Sequence, residues 1–414
     1  MLSTKPRLRV PHPPARPGEA PDFSYLKLSD AGAIDRPPID AAVDDIEHLS
    51  VELVRVLDND HMPRGTWNPA LAPEQLLQGL VHMMRTRAYD DRMLKVQRQG
   101  KISFYVQSRG EEAVSVAQGM ALRDGDMLFP TYRNQGLYFA RGRPVVDLMC
   151  QCLSNARDMC RGRQLPIMYH WKEKNIFTIS GNLTTQVPQA VGWAMAAAIK
   201  GEDHLACTWS GEGSTAESDY HNALTFATVY QAPVIINVVN NQWAISTFQG
   251  IAGGAEKSFA ARGPGYNIPG IRVDGNDFLA VYAVTRWAAE RARSGGGPTL
   301  IEHVTYRAGA HSTSDDPARY RAKNEYDFWP LGDPIERLKN HLIGLGVWSE
   351  DQHQQALEQY ATEMTERWKE AISYGTTEEG SHFAVDSMFD DVYKDIPPPL
   401  VAQREKLKRQ LKNQ

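Results

Sequence analysis

Leu205-Ala206-Cys207-Thr208-Trp209-Ser210-Gly211-Glu212-Gly213-Ser214-Thr215-Ala216, followed one helix length later by Pro233-Val234-Ile235-Ile236-Asn237-Val238-Val239-Asn240-Asn241, decides the fold. The first stretch is a short apolar run that breaks at a glycine turn. The second is a β-branched run stopped by two asparagines. Residues 216–229 lie between them and read as a helix. Strand, helix and strand in that order make a βαβ unit, and apolar runs without alternation belong to strands buried on both faces.

The unit recurs downstream. Residues 271–273 read as a strand, 274–276 as a turn, 278–293 as a helix, 295–298 as a turn and 299–306 as a strand. Upstream, residues 188–199 are alanine-rich and nearly free of polar side chains, which predicts a helix packed on both sides. Leu76, Leu77, Leu80, Met83, Met84 and Ala88 recur at helical spacing and predict one long amphipathic helix over 73–98. Residues 111–120 predict another, and Tyr132 to Gly136 a tight loop or helix start. The expected fold is α/β: a mostly parallel sheet with helices on both faces, occupying residues 71–330. Sites in such folds lie beyond the carboxyl ends of the strands. That marks three tips: 211–213, 240–243 and 307–316.

Residues 1–70 are rich in proline and charge, with Pro11, Pro13, Pro14, Pro17 and Pro21 crowded together, and predict an extended arm. Residues 331–414 are expected to be helical. Asp333-Pro334 supplies a cap and a first-turn proline, Ser349 with Gln352 a capping box, and Pro397-Pro398-Pro399 an irregular tail.

The chain has 414 residues, four cysteines and a formal net charge of −5. Its length supports a large core without disulfides. Cys150, Cys152 and Cys160 make no CxxC pair and read as isolated thiols. Arg141-Gly142-Arg143 and Arg161-Gly162-Arg163 read as solvated turns. The charge balance speaks against nucleic acid as the main partner. No apolar signal core follows Met1 and no long uncharged apolar run occurs, so a cytoplasmic protein without a membrane span is expected.

Gly211, Gly213 and Ala216 satisfy a dinucleotide fingerprint literally. An NAD(P)-binding oxidoreductase, however, needs an acid at the end of the next strand to hold the ribose. That strand ends in Asn240-Asn241, and the turn carries Glu212, a carboxylate that would repel a diphosphate unless a cation intervened. A plain strand-to-helix turn is the remaining bland reading. A metal-diphosphate site uses both odd features. Consecutive strands of a βαβ unit usually neighbour each other, so Glu212 and Asn241 can meet across one gap. Magnesium takes one or two carboxylates together with phosphate oxygens. Glu212, the Asn241 amide and the backbone carbonyl of Trp243 could supply three oxygens. First-turn amides after Gly213, at the positive end of a helix beginning near Ala216, would hold the phosphates.

Gly211-Glu212-Gly213, about thirty residues, and Asn240-Asn241 together resemble the thiamine diphosphate motif. The wider chain, over about residues 73–403, resembles the α subunits of the E1 component of branched-chain 2-oxo acid (2-oxoisovalerate) dehydrogenases. The resemblance is carried by Arg98-Gln99-Gly100-Lys101-Ile102-Ser103-Phe104-Tyr105, Phe129-Pro130-Thr131-Tyr132-Arg133, Thr185-Gln186-Val187-Pro188-Gln189-Ala190-Val191-Gly192 and His311-Ser312-Thr313-Ser314-Asp315-Asp316 with Tyr320-Arg321. Pyruvate enzymes of the same family come close to the last of these.

The resemblance implies a thiamine diphosphate-binding fold and magnesium held by Glu212, Asn241 and the Trp243 carbonyl. It implies diphosphate contacts from Tyr132, Arg133, Gly213 and Ser214, and an apolar cofactor contact from Leu183. Ser180, Asn182, Thr185 and Gln186 resemble a potassium-binding loop. His311 resembles an active-site histidine, suited by near-neutral titration to move protons. Arg307, Asp315, Tyr320 and Arg321 would order its loop, and Ser312 aligns with a residue that animal relatives phosphorylate. Those relatives carry an arginine where this chain has Val239, so either its charge comes from elsewhere, Arg133 being the candidate, or phosphate binding relies more on metal and backbone. The implied partners are an E1 β subunit in an α2β2 heterotetramer, the lipoyl domain of an E2 component and a branched-chain 2-oxo acid. A non-catalytic scaffold subunit is the alternative of a different class.

Overall fold

The structure, a computed structural model, describes residues 8, 11–254, 257–380, 383–390 and 392–412. The part of the expected arm at residues 1–7, 9 and 10 lies outside the described residues.

Among the described residues eight strands are present: β1 (Leu53–Val54), β2 (Met127–Phe129), β3 (Ala206–Gly211), β4 (Val234–Asn240), β5 (Trp243–Ala244), β6 (Thr247–Phe248), β7 (Gly270–Asp274) and β8 (Thr299–Val304). Six of them form one parallel sheet in the order β1-β7-β8-β4-β3-β2, and β5 with β6 makes a small antiparallel hairpin. β4 shows why the sheet is covered on both faces. Val234, Ile236 and Val238 point into a cluster with the helices Gln186–Ile199 and Ser218–Val229. Ile235 and Val239 point the other way, into a cluster with the helices Pro73–Arg98 and Phe278–Arg293. A period of two on a strand buried on both sides requires apolar residues throughout. β3, β4 and β8 are neighbours, so the three marked tips converge.

Several expectations need correction. The segment ahead of residue 70 is largely irregular, but its later half is built into the body. Leu53–Val54 pairs in parallel with Arg272 and Val273, and Trp67 is buried. One carboxylate makes this join: Asp277 caps the helix Phe278–Arg293 by accepting from the amides of Leu279 (3.1 Å) and Ala280 (3.1 Å). Its other oxygen accepts from the amides of Val56 (2.9 Å) and Leu57 (2.6 Å). The helix Gln186–Ile199 is not packed on both sides. Gln189, Gly192, Ala196 and Ile199 form an exposed face, with Ile199 84% exposed. The prolines near residue 398 open the helix Pro398–Lys412 instead of marking an irregular tail, because first-turn positions need no amide proton. Arg141 and Arg143 are buried, donating to the carbonyls of Leu122 and His170 respectively. The caps at Asp333 and Ser349 form: Asp333 accepts from the amides of Ile335 and Glu336, and Ser349 from that of Gln352.

All four cysteines are free thiols. Among the described residues no helix is long and apolar enough to cross a membrane, and no cluster of three or more His, Cys, Asp or Glu forms a metal site.

The segment between the helix Pro73–Arg98 and Glu111 is pinned by Asp90. Its carboxylate accepts from the Tyr105 hydroxyl (2.6 Å), the Ser108 amide (2.7 Å) and the Ser108 hydroxyl (2.8 Å). Burial pushes the Asp90 carboxyl up to about 7, against the opposing pull of these hydrogen bonds. A carboxyl whose pKa is higher folded than unfolded stabilises the fold fully below its unfolded value, and that stability is lost as pH rises through its folded value. Asp90→Asn should therefore gain stability relative to the parent as pH rises from about 4 to about 7, by up to about 4 kcal/mol over the whole window. Paired denaturant titrations at several pH values check this. Parallel curves for the two proteins would contradict it.

Candidate active site

β3 and β4 run side by side with Gly211 opposite Val239, so Glu212, one residue further along β3, and Asn241, two residues further along β4, emerge at the same end of the sheet. Both line a cavity of about 610 Å3. Glu212 is buried, and its Oε1 has no hydrogen-bond partner. Burial pushes its carboxyl up to about 7, with its own backbone amide, Arg307, the backbone amide of Asn241 and Arg133 pulling the other way. A buried carboxylate oxygen left unpaired is costly, and a cation at that point would satisfy it.

Asn241 is oriented by a residue that the sequence reading missed. Its Nδ2 donates to Glu111 Oε1 at 2.8 Å, while its Oδ1 accepts from the Trp243 amide at 3.3 Å. A carboxylate can only accept, so Glu111 fixes which way the amide faces and leaves the oxygen as the atom that could face a cation. Glu111 is buried, its carboxyl is pushed up to about 7 by burial, and its Oε1 lies 3.5 Å from Arg133 Nε. The only local signal for it was an acidic pair opening an apolar helix. The second member, Glu112, serves the core by pairing with Arg87 at 2.8 Å.

Two buried guanidiniums, Arg133 and Arg307, face these two carboxyls. Arg133 donates to the Gln107 carbonyl and to the His311 carbonyl (3.0 Å), with its Nη2 3.4 Å from His311 Nδ1. Arg133 therefore carries charge into the cavity and ties the His311 loop to the Gln107 carbonyl and to Glu111. Val239 gives the cavity an apolar wall where the animal relatives were expected to differ. Arg307 donates to the Trp243 carbonyl at 2.6 Å, to Ile245 O at 2.9 Å and to the Tyr320 hydroxyl at 2.7 Å. The Trp243 carbonyl is thus already engaged by a cation, and a metal there would use its second lone pair.

His311 departs from the expected near-neutral titration. Burial first, then Arg133 and Arg307, push its imidazole down to about 3, so the ring is neutral at physiological pH and serves as a hydrogen-bonding group. Asp315 accepts from the His311 amide (2.7 Å) and from the Tyr320 hydroxyl (2.6 Å). Arg321 ties the same loop through the carbonyls of Arg307 (2.7 Å), Ala308 (2.9 Å) and Gly309 (3.1 Å). Tyr132 lines the cavity and meets His311 edge-on at 6.0 Å. Ser312 is buried and within 3.0 Å of the Ser314 hydroxyl.

The phosphate-facing turn differs from expectation in one respect. Gly213–Ala216 is a separate 3₁₀ turn, Glu217 is extended, and the helix starts at Ser218. Any anion at Gly213 and Ser214 would meet local amides of a tight turn, not the end of a long helix. A Cβ on Gly213 would lie 2.3 Å from that of Ala244, so only glycine lets the hairpin approach. Leu183, 50% exposed, borders the cavity. In the neighbouring loop the Asn182 amide donates to Ser180 Oγ (3.1 Å), Thr185 Oγ1 donates to the Asn182 carbonyl (3.1 Å), and Gln186 donates to the Trp209 carbonyl (2.6 Å).

Residues 81–379 match the model of the dehydrogenase E1 component family, and residues 4–44 match that of the 2-oxoisovalerate dehydrogenase E1 alpha subunit N terminus. Among curated proteins, the 2-oxoisovalerate dehydrogenase subunit alpha of Pseudomonas aeruginosa is 58% identical over 401 residues, covering 97% of this chain and 98% of that one. The 3-methyl-2-oxobutanoate dehydrogenase subunit alpha of Mycobacterium tuberculosis is 42% identical, covering 82% of this chain and 88% of its own. The human mitochondrial 2-oxoisovalerate dehydrogenase subunit alpha is 38% identical, covering 87% and 80%. With the family model spanning most of the chain and a cavity built by three neighbouring strand tips, the chain belongs to the dehydrogenase E1 component family.

Proposed function

We propose that this chain is the E1 α subunit of a branched-chain 2-oxo acid dehydrogenase, holding magnesium and the diphosphate of thiamine diphosphate in the cavity between Glu212 and Asn241. The observation that carries the reading is the buried, unpartnered Oε1 of Glu212 beside an asparagine amide oriented by Glu111. Bound thiamine diphosphate would supply the carbon nucleophile and the electron sink for decarboxylation. The chain's own residues bind and orient it. Glu212, Asn241 and the Trp243 carbonyl hold the metal; Tyr132, Arg133, Gly213 and Ser214 hold the diphosphate; Leu183 packs on the cofactor. His311, neutral and held by Arg133 and Asp315, hydrogen-bonds at the reacting end. Ser180, Asn182, Thr185 and Gln186 would steady that end around a potassium ion.

Both carboxyls of the cavity, Glu111 and Glu212, are committed at the Asn241 end. The carboxylate needed by the aminopyrimidine ring would therefore come from an E1 β subunit in an α2β2 assembly, with the lipoyl domain of an E2 component as acyl acceptor. A bacterial relative of matching length supports a cytoplasmic location.

Decarboxylation of 2-oxoisovalerate and pyruvate is to be measured for the chain alone, its β partner alone and the two mixed, all with magnesium and thiamine diphosphate. The mixture should turn over 2-oxoisovalerate faster than pyruvate, and each chain alone should be inactive. Robust turnover by the single chain would overturn the shared-site reading, and preference for pyruvate would overturn the substrate.

A further inference from the structure

The loop that carries Asn241 and Trp243 turns at Gln242, whose φ of 76° is a conformation that side-chain-bearing residues rarely hold without support. Support comes from its own buried side chain. Nε2 donates to the Asn240 carbonyl (3.0 Å) and the Thr305 carbonyl (3.2 Å), tying β4 to the end of β8. The remaining acceptor, Oε1, receives the hydroxyl of Tyr25 at 3.0 Å, across 217 residues of sequence. Tyr25 is held in turn. Its ring packs edge-on against Phe248 of the hairpin at 5.2 Å, and Phe23 packs against Trp329 at 5.2 Å and Tyr306 at 6.0 Å. Arg272 grips the Lys27 carbonyl at 3.1 Å. Trp243 lies in the same apolar cluster, with Phe23, Tyr25 and Leu26 packed against it.

We propose that Tyr25 is a positioning residue for the metal loop: through Gln242 the amino-terminal arm sets where the Asn241 amide and the Trp243 carbonyl present their oxygens. No residue of the arm lines the cavity, and its polar link to the metal loop is the bond from Tyr25 to Gln242. The inference rests on the functional reading above only for what the loop binds, not for the mechanical link itself.

The test uses the full chain with its β partner, comparing the parent with Tyr25→Phe, Gln242→Ala and the double variant. Hydrogen exchange of the cofactor-free protein reads the link directly, and backbone amides at 241–243 should exchange about tenfold faster in Tyr25→Phe, the factor corresponding to one lost hydrogen bond. Magnesium titrations at saturating thiamine diphosphate should show half-saturation shifted up by about three- to tenfold, with the melting temperature and kcat at saturating cofactor close to the parent. A general packing role would move the melting temperature as well. The double variant should be no worse than Gln242→Ala, since both changes cut one path. Unchanged exchange and unchanged half-saturation in Tyr25→Phe would overturn the proposal. A parent protein that takes up no cofactor, with the exchange difference intact, would overturn the functional reading and leave the positioning link standing.

Discussion

Replacing Glu212 with alanine should raise the dissociation constant for thiamine diphosphate in the presence of magnesium by about 100-fold or more while leaving the fold as stable as before, or more so. Truncating one partner of a buried charged contact typically costs about 2–5 kcal/mol of binding, which spans that factor. The stability half of the expectation follows from the burial of the carboxyl itself. Glu212 is buried, its Oε1 is unpartnered, and its carboxyl is pushed up to about 7 mainly by burial. In the cofactor-free protein this group opposes folding at neutral pH, so removing it relieves the fold. Sites that hold strain for function show this pattern. Calorimetry with and without magnesium gives the binding half, and thermal unfolding of the cofactor-free protein gives the other. Wild-type affinity in the variant would end the metal assignment. A large loss of stability would show that Glu212 is a structural residue instead.

Arg337→Ala should destabilise the chain by about 3–5 kcal/mol, because it leaves two buried carboxylates facing each other. Arg337 reaches Asp274 at 2.7 Å and Asp277 at 3.4 Å, and donates to the carbonyls of Leu57 and Leu331, both at 3.1 Å. Both aspartates are fully buried, and burial raises the carboxyl of Asp274 against the pull of Arg337 and Arg55. Arg55, 3.4 Å from Asp274, can answer only part of the exposed charge. The helix Pro334–Gly344 is thereby bolted to the end of β7, to Asp277 ahead of the helix Phe278–Arg293 and to the amino-terminal segment at once. Denaturant unfolding monitored by circular dichroism measures the loss, and adding Asp274→Asn should restore part of it. A loss under about 1 kcal/mol would mean that the cluster contributes little beyond packing.

β3 and β4 were legible because their residues must be apolar on both faces, a condition written into a short run of sequence. The pairing of Glu212 with Asn241 followed from adjacency of consecutive strands. Glu111 was not legible in the same way. It meets Asn241 across 130 residues, and nothing in its own neighbourhood distinguishes it from Glu112, which pairs with Arg87 in the core. Arg141 and Arg143 read as surface turns because their partners, carbonyls on other segments, leave no trace in local composition. The near-neutral histidine failed for a related reason, since the shift at His311 comes from burial and from arginines far away in sequence. The helix Gln186–Ile199 turns Gln189, Gly192, Ala196 and Ile199 outward, and a face with so little charge reads the same whether or not something covers it.

The bond pair at Asp277 also bears on the order of events during synthesis. Val56 is made well before the carboxylate that seats it, which lies 221 positions later, and β1 has no neighbour until β7 exists. Until those later segments are made, Leu53 to Leu57 wait without their docking surface, and the edge of β7 stays open until they return to it. β1 thus closes one of the two borders of the sheet, and can do so only once β7 has been made.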